Sequence, residues 1–400
     1  MRLLKVVVKG TGLFSGDTFS MDFFASDRVS GKDGPNFNNV HRLGNLGSIY
    51  SQNVVAISGV NASGKTTALK TIRLVLQMLF APVSARLSTA GARKLARMRD
   101  RFDVTVVFWE GGRFYLLDSA LRTSKIAEEG DSSRWYRIDD EELWVLDAAR
   151  PNKSMIESPE VFKQHAKVFL RRRGAEGDDK VVPSEARRFL ISNISIAASL
   201  LSTDETEEDF EAKDLLRTVH ATEVVHAFDN SVELLEWDEA REVYRLKFHG
   251  EEERLVGESS IWEILSDGTI IGVGMVERAL KQLRKGGFVL IDEIELALNK
   301  SLIRSLIELF QSHVTNPKGA QLVFTTHYIE LLDYLPRKDN VYLLIRNESF
   351  ATDVVKYSNR ISRIENKKSE VVLANAIKGA MPSYPEVEGM RAYAREYVRE

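Results

Sequence analysis

The sequence predicts an α/β protein with a mostly parallel core sheet, an antiparallel β lobe and a helical insertion. In the last third of the chain, the apolar runs "GGFVLIDEI", "AQLVFTTH" and "NVYLLIR" alternate with helix-like segments, which is typical of parallel strands joined by helices. Near the N-terminus, strand-length apolar runs are separated by glycine-rich turns, which is typical of antiparallel pairs. Between residues 140 and 220 the pattern becomes helical.

Composition limits the class of protein and its cofactors. The chain has 400 residues, 44% hydrophobic, and a net charge of −3, which suits a packed core and argues against a globally basic nucleic-acid binder. With no cysteine, disulfides and cysteine-ligated zinc are excluded, and the seven histidines form no obvious metal cluster in the sequence. No run is long and apolar enough for a membrane span or a secretory signal. We therefore expect a cytoplasmic protein with no membrane partner.

The first predicted elements are two strands, "LLKVVVKG" and "FSMDFF", which the turn "GTGLFSGD" would join as a hairpin. Residues 26–48 are rich in glycine, proline, asparagine and aspartate and predict an irregular loop. Residues 66–80 carry leucine and isoleucine at helical spacing and predict a helix. Strands return in "RFDVTVVFWEGGRFYLLD", where Gly111 and Gly112 predict a hairpin turn.

The middle of the chain contains two segments that we expect to be helical, "SPEVFKQHAKVFLRRRG" and "SEARRFLISNISIAASLLS". Each begins with a serine shortly before a glutamate, a pattern found at helix starts. Strand-like alternation resumes in "SVELLEW" and "VYRLKFHG". These changes predict four parts: an N-terminal lobe at residues 1–135, a helical insertion at 136–222, a C-terminal lobe at 223–350 and a tail suited to partner docking at 351–400.

The stretch "VVAISGVNASGKTTALKTI", residues 54–72, matches the pattern G-x-x-x-x-G-K-[ST] between an apolar strand and a helix. Its glycines let successive backbone N–H groups point at phosphates, and the following helix adds its positive end. Lys65 would reach the β- and γ-phosphates, and the Thr66 hydroxyl would ligate Mg²⁺. We therefore predict ATP and Mg²⁺ as the cofactors. The expected nucleotide contacts are Asn61, Ala62, Ser63, Gly64, Lys65, Thr66 and Thr67.

A second motif, "FVLIDEIE", places Asp292 and Glu293 at the carboxyl end of a predicted buried strand, where open α/β sheets bind ligands. Asp292 would hold Mg²⁺, and Glu293 would polarise the attacking water. Carboxylates at a strand end can instead cap the following helix. Together with the phosphate loop, however, the motif favours the catalytic interpretation.

Two further motifs lie near these. Ser266, Asp267 and Gly268 begin an apolar-periodic helix in "ILSDGTIIGVGMVERALKQL", so Ser266 is expected to cap the helix N-terminus. His327 directly follows the predicted strand "LVFTT". A lone histidine in such a position more often has a structural role, so His327 depends on the motifs around it for a functional interpretation.

The order of "GVNASGKTT", "LSDGT", "LIDE" and a strand ending in Thr-Thr-His resembles the ATP-binding-cassette (ABC) class of AAA-like ATPases, which includes SMC, RecF and OLD proteins. The resemblance implies a P-loop ABC-type ATPase head that hydrolyses ATP, and a head-to-tail homodimer with ATP between the chains. It also implies that Ser266 and Gly268 contact the γ-phosphate held by the other chain. Glu293 would act on water, and His327 would sense the γ-phosphate from the same chain as Lys65.

The segment after Glu293 departs from the form "DEPELHLHP" that is common in the family. Ile294 replaces the proline, and Ala297 and Asn299 replace the two histidines. Glu295 falls in the part that meets the partner chain in the family. These replacements leave the partner contacts of this segment open, and the family's Mg²⁺-ligating glutamine has no assigned position here.

As a small stand-alone ATPase with these motifs, the chain resembles the ATPase components of bacterial anti-phage defence systems. This resemblance implies that it senses infection or regulates a separately encoded effector protein. The alternative is a RecF-like DNA-binding ATPase in repair or replication. Residues 84–101 carry six arginines or lysines against one aspartate, so this stretch can contact nucleic acid, although a solvated basic helix is the commoner outcome. An SMC-type coiled coil would need more heptad-periodic sequence than lies between the lobes.

Overall fold

The computed structural model describes residues 1–29, 39–44, 48–80, 98–125, 134–147, 151–172, 195–201, 215, 217–296, 298–361, 367–381 and 384–398. Within these ranges, none of the helices has the combination of length and apolar character that crossing a bilayer requires.

In chain order, the strands of the described ranges are β1 Arg2–Lys9, β2 Thr18–Asp22, β3 Val40–Arg42, β4 Tyr50–Gln52, β5 Val54–Ser58, β6 Arg101–Glu110, β7 Arg113–Lys125, β8 Arg134–Leu146, β9 Ala166–Arg172, β10 Val232–Asp238, β11 Val243–Phe248, β12 Arg254–Val256, β13 Phe288–Ile291, β14 Gln321–Thr326, β15 Val341–Arg346 and β16 Thr352–Lys356. The α-helices of the same ranges are α1 Lys65–Leu79, α2 Lys153–Glu157, α3 Pro159–Gln164, α4 Thr222–His226, α5 Ile261–Ile264, α6 Asp267–Lys285, α7 Lys300–Gln311, α8 Lys368–Leu373 and α9 Tyr384–Tyr397.

The core sheet has five strands in the order β13-β14-β5-β15-β16. The first four are parallel, and β16 pairs antiparallel with β15. Alternate residues of β5 face two different hydrophobic cores. Val55 and Ile57 belong to the core shared with α1 and the antiparallel lobe, whereas Val54 and Ala56 belong to the core shared with α7. The strands are therefore covered on both faces, as parallel strands generally are, and the predicted mostly parallel core sheet is confirmed.

The antiparallel lobe is a six-stranded sheet in the order β2-β1-β6-β7-β8-β9. The predicted hairpin of β1 and β2 is present, with Lys9 opposite Thr18. The second predicted hairpin, β6 and β7, turns at Gly111 and Gly112, which both have positive φ. One face of the lobe packs against α1, because side chains from β1, β6 and β7 share a core with it.

A small antiparallel sheet, ordered β10-β11-β12, packs against α6. Leu235 and Leu246 from this sheet share a core with Ile270 of the helix. Phe228, in the segment that precedes β10, also lies close to the helix, because a Cβ added to Gly272 would be 2.1 Å from its ring. The small sheet therefore lies directly on the helix that begins after Ser266.

The helical interpretation of the middle of the chain is wrong for residues 136–146, which belong to β8, and for residues 166–172. The side chain of Ser158 accepts a hydrogen bond from the N–H of Val161 and starts α3, as its position before Pro159 suggests. This helix ends at Gln164, and the next residues form β9, which pairs with β8. The apolar spacing of "AKVFLRR" also suits a strand. Pairing with the neighbouring strand β8 decides between the two forms.

Two sequence features lie largely outside the described residues. Residues 81–97 contain most of the basic stretch 84–101, and residues 173–194 contain most of the predicted helix "SEARRFLISNISIAASLLS". The predicted division of the chain into four parts also stays a prediction.

Candidate active site

The loop between β5 and α1 is shaped by glycines. Gly59 has a φ of 153° and Gly64 a φ of 99°. A Cβ on Gly59 would lie 2.5 Å from the carbonyl oxygen of Leu344, and a Cβ on Gly64 would lie 2.8 Å from a methyl group of Leu13. Positive φ therefore disfavours a side chain at both positions, and at Gly59 the backbone carbonyl oxygen also leaves no space for one. The result is a tight loop that leads into the N-terminus of α1, where unpaired N–H groups favour anions.

Lys65, the first residue of α1, is buried at the centre of this loop. Its Nζ donates hydrogen bonds to the carbonyl oxygens of Gly59 at 2.9 Å and Val60 at 3.1 Å. Burial lowers the pKa of Lys65, and three nearby carboxylates oppose that shift. These carboxylates belong to Glu293, Glu295 and Asp292. The loop thus surrounds a cation that faces the acidic end of β13.

The acidic residues lie where β13 and β14 end side by side, with Ile291 paired to Phe324. The hydroxyl of Thr325 links them, since it donates to Asp292 Oδ1 at 2.6 Å and accepts from the backbone N–H of Glu293 at 2.7 Å. Glu293 has a φ of 50°, a left-handed conformation that is strained for a residue with a side chain. The end of the neighbouring strand therefore orients the carboxylate of Asp292 and the backbone of Glu293.

His327 joins the lysine to the glutamate. Its Nδ1 lies 3.3 Å from Lys65 Nζ, and its Nε2 lies 3.3 Å from Glu293 Oε1. A lysine ammonium can only donate, so Nδ1 accepts and the ring proton sits on Nε2, facing the carboxylate. His327 and Glu293 side chains remain 31% and 36% exposed, so a ligand can reach them. The structure thus brings together three residues that the sequence placed in separate motifs.

Ser266 and Gly268 occupy the exposed start of α6. As predicted, Ser266 caps this helix, because its Oγ accepts the backbone N–H of Thr269 at 3.1 Å. Within the described residues, no hydrogen bond joins either residue to the phosphate loop of the same chain. Their predicted contact with a nucleotide on another chain stays a prediction.

Three residues that the sequence did not single out support the site. Thr325 orients the Asp292 carboxylate and the Glu293 backbone, and its only sequence signal is a polar side chain at the end of an apolar strand. Thr352 Oγ1 donates to the carbonyl oxygen of Ser63 at 2.8 Å. Arg346 Nε donates to the carbonyl oxygen of Ala62 at 3.1 Å. The last two contacts fix the phosphate loop from β15 and β16, and nothing in the sequence motifs indicates them.

The donors that would hold Mg²⁺ fit this ion. The Thr66 hydroxyl and the Asp292 carboxylate are hard oxygen ligands, and Asp292 is already oriented through Oδ1. In the part of the chain that the structure describes, no group of three or more histidine and carboxylate side chains could hold a metal by itself. Mg²⁺ in nucleotide sites is usually held by one or two protein oxygens together with nucleotide phosphates.

Comparison with known proteins gives a family match and a weak structural likeness. The family described as "AAA domain, putative AbiEii toxin, Type IV TA system" matches residues 54–333. No curated protein matches the chain. Among solved structures, the "SMC head domain from Thermotoga maritima" has 15% sequence identity and a TM-score of 0.37, covering 89% of this chain and 99% of that chain.

The family match spans more than half of the chain and contains all four motifs, from the phosphate loop at Gly59 to His327. The chain belongs to the family of AAA domains described as putative AbiEii toxin, Type IV TA system.

Proposed function

We propose that the chain is an ATP-hydrolysing molecular switch of the ABC/SMC-like class. The observation that carries this proposal is the continuous line of Lys65, His327 and Glu293, with 3.3 Å at each of its two contacts, beside a glycine-shaped phosphate loop. A phosphate-binding site alone needs the loop and the lysine. A half-exposed carboxylate held against an imidazole at the same place supports hydrolysis as well as binding.

Each side chain has a distinct task in this proposal. The loop N–H groups, the start of α1 and Lys65 bind the phosphates and stabilise their charge. Glu293 accepts a proton from the attacking water, and the Nε2–H of His327 donates towards the γ-phosphate or holds Glu293 in place. Mg²⁺ held by Thr66 and Asp292 would supply further charge neutralisation on the phosphate oxygens.

We expect purified protein to release phosphate from ATP with Mg²⁺ and to lose this activity when EDTA removes the metal. The reason is that Thr66 and Asp292 would supply two oxygens and the nucleotide phosphates would supply others, so Mg²⁺ is not enclosed by the protein and a chelator can compete for it. Phosphate release and binding of a fluorescent ATP analogue are the measurements. Protein that neither binds nor hydrolyses ATP would contradict the proposal.

We also propose that the active unit is an ATP-bridged homodimer. Ser266 and Gly268 are exposed at the N-terminus of α6, an end of a 19-residue helix that favours anions. In the same chain they are not hydrogen-bonded to the phosphate loop within the described ranges. Binding to the γ-phosphate of another chain's ATP would use this exposed end, and loss of that phosphate on hydrolysis would loosen the dimer.

Ser266→Arg should prevent dimerisation and lower turnover at least tenfold, because it places a bulky cation at the proposed interface. ATP binding should remain close to normal, since Lys65 and Thr66 are untouched. The matched control is Ser305→Arg, the same change at an exposed position of α7. Light scattering with ATP and phosphate release are the measurements. A monomeric Ser266→Arg protein that hydrolysed ATP at the normal rate would exclude the shared site.

Mixing Ser266→Arg with Lys65→Ala protein gives a complementation test of the same proposal. A mixed dimer has one composite site that carries both defects and one that is intact. Partial recovery of turnover on mixing is therefore expected.

For the biological role, we propose a sensor or regulator of an anti-phage defence system that controls a separately encoded effector. The role rests on the resemblance of the motif order to such ATPases, whereas the name of the matching family refers to a putative toxin and a toxin–antitoxin system. The test is protection of cells against phage by the gene together with its neighbours, compared with the Glu293→Gln variant. Protection that is the same with both would separate the role from ATP turnover. The RecF-like alternative depends on residues 84–101, which lie mostly outside the described residues.

A further inference from the structure

Glu295 lies two residues beyond Glu293, in the 3₁₀ turn Ile294–Leu296 that follows β13. Its Oε1 accepts a hydrogen bond of 2.6 Å from the backbone N–H of His327. This bond ties the turn after β13 to the end of β14, where the chain leaves the sheet. It therefore acts on the backbone of the residue whose ring lies between Lys65 and Glu293.

The other oxygen of the Glu295 carboxylate differs, because no hydrogen-bond donor reaches it among the described residues. Among the residues that the structure describes, Glu295 Oε2 is buried and accepts no hydrogen bond. Burying a carboxylate oxygen without a donor opposes folding. A half-satisfied carboxylate directly beside the site therefore points to a functional use.

The position of the His327 ring depends on contacts such as this hydrogen bond from its backbone to Glu295. Both ring contacts are 3.3 Å long, close to the limit at which hydrogen bonds form, so a small shift would break one of them. The ring is 31% exposed and is therefore not held by packing on all sides. A strong backbone contact at His327 limits where the ring can lie.

We infer that Glu295 is a positioning residue for hydrolysis, which holds the backbone of His327 so that the imidazole spans Lys65 and Glu293. The inference rests on the ATP hydrolysis proposed above. It assigns Glu295 a contact inside its own chain. Glu295 touches neither phosphate nor water in this role, so its removal should lower kcat and leave the KM for ATP nearly unchanged.

Three substitutions separate the hydrogen bond from the charge. Glu295→Ala removes both and should lower kcat about tenfold. Glu295→Gln keeps a carbonyl oxygen at the same reach without the charge and should retain at least half of the normal kcat. Glu295→Asp keeps the charge but is one methylene too short, so it should resemble the alanine variant. Glu308→Ala, which removes an exposed carboxylate paired with Arg304 on α7, is the control and should leave kcat unchanged.

A double-mutant cycle with His327→Ala then tests whether Glu295 acts through the histidine. His327→Ala should lower kcat about a hundredfold, and adding Glu295→Ala should lower it no further. Multiplied losses in the double variant would overturn the inference, since Glu295 would then act independently. Full activity of Glu295→Asp together with loss in Glu295→Gln would overturn it in favour of a charge effect. If the unmodified protein hydrolysed no ATP, the proposed function would fail instead, before any variant was compared.

Discussion

Lys65→Ala should abolish measurable ATP hydrolysis, with a fall in turnover of about a hundredfold to a thousandfold. The lysine is the cation at the centre of the phosphate loop, where its Nζ is held by the carbonyl oxygens of Gly59 and Val60 and lies 3.3 Å from His327. Alanine removes the charge that opposes the γ-phosphate and leaves three carboxylates nearby without their cation. ATP affinity should fall as well, because those carboxylates would repel the phosphates.

The control is Lys70→Ala on the same helix, which removes a positive charge away from the loop. Thermal unfolding of both variants checks that the fold is retained, and titration with a fluorescent ATP analogue measures affinity. Normal turnover in Lys65→Ala protein would mean that the phosphates bind elsewhere. The assignment of the loop would then be wrong.

Glu293→Gln should bind ATP normally and hydrolyse it about a hundredfold to ten-thousandfold more slowly. Glutamine keeps the size of the side chain, the backbone hydrogen bond to Thr325 and an oxygen near His327 Nε2. It cannot take a proton from water. ATP should therefore remain bound and intact, and the ATP-bridged dimer should accumulate.

Two measurements check this prediction: the nucleotide that stays with the protein after gel filtration, and the molar mass of that complex. Glu308→Gln on α7 is the control for loss of a carboxylate. A Glu293→Gln protein that failed to bind ATP would show that Glu293 supports binding, and one with normal turnover would show that another group activates the water.

The sequence was sufficient for elements whose signals are local. The helix after the phosphate loop was predicted at residues 66–80 and is observed at Lys65–Leu79. Ser266 was predicted as a helix cap and does cap α6. In both cases the controlling interactions lie within a few residues, so spacing and capping side chains are enough to indicate them.

Patterns within a short segment gave a wrong prediction where the same residues suit both a helix and a strand. The apolar spacing of "AKVFLRR" and the helix start at Ser158 predict a helix. The segment is β9, because β8 offers hydrogen-bonding partners along its edge. Strand pairing joins residues from different segments of the chain, so the residue pattern within one segment cannot indicate it.

The sequence by itself determined which elements form the site: a glycine-shaped phosphate loop, an acidic strand end, a helix start at Ser266 and a histidine after a strand. Only the tertiary structure decided that Lys65, Glu293 and His327 lie in contact, although 262 positions separate the lysine from the histidine. The reason is the strand order β13-β14-β5. Parallel pairing places the carboxyl ends of the three strands at one edge of the sheet, so the residues that follow those ends come close together. Contacts at that edge, such as that of Glu295 with the His327 backbone, depend on this strand order.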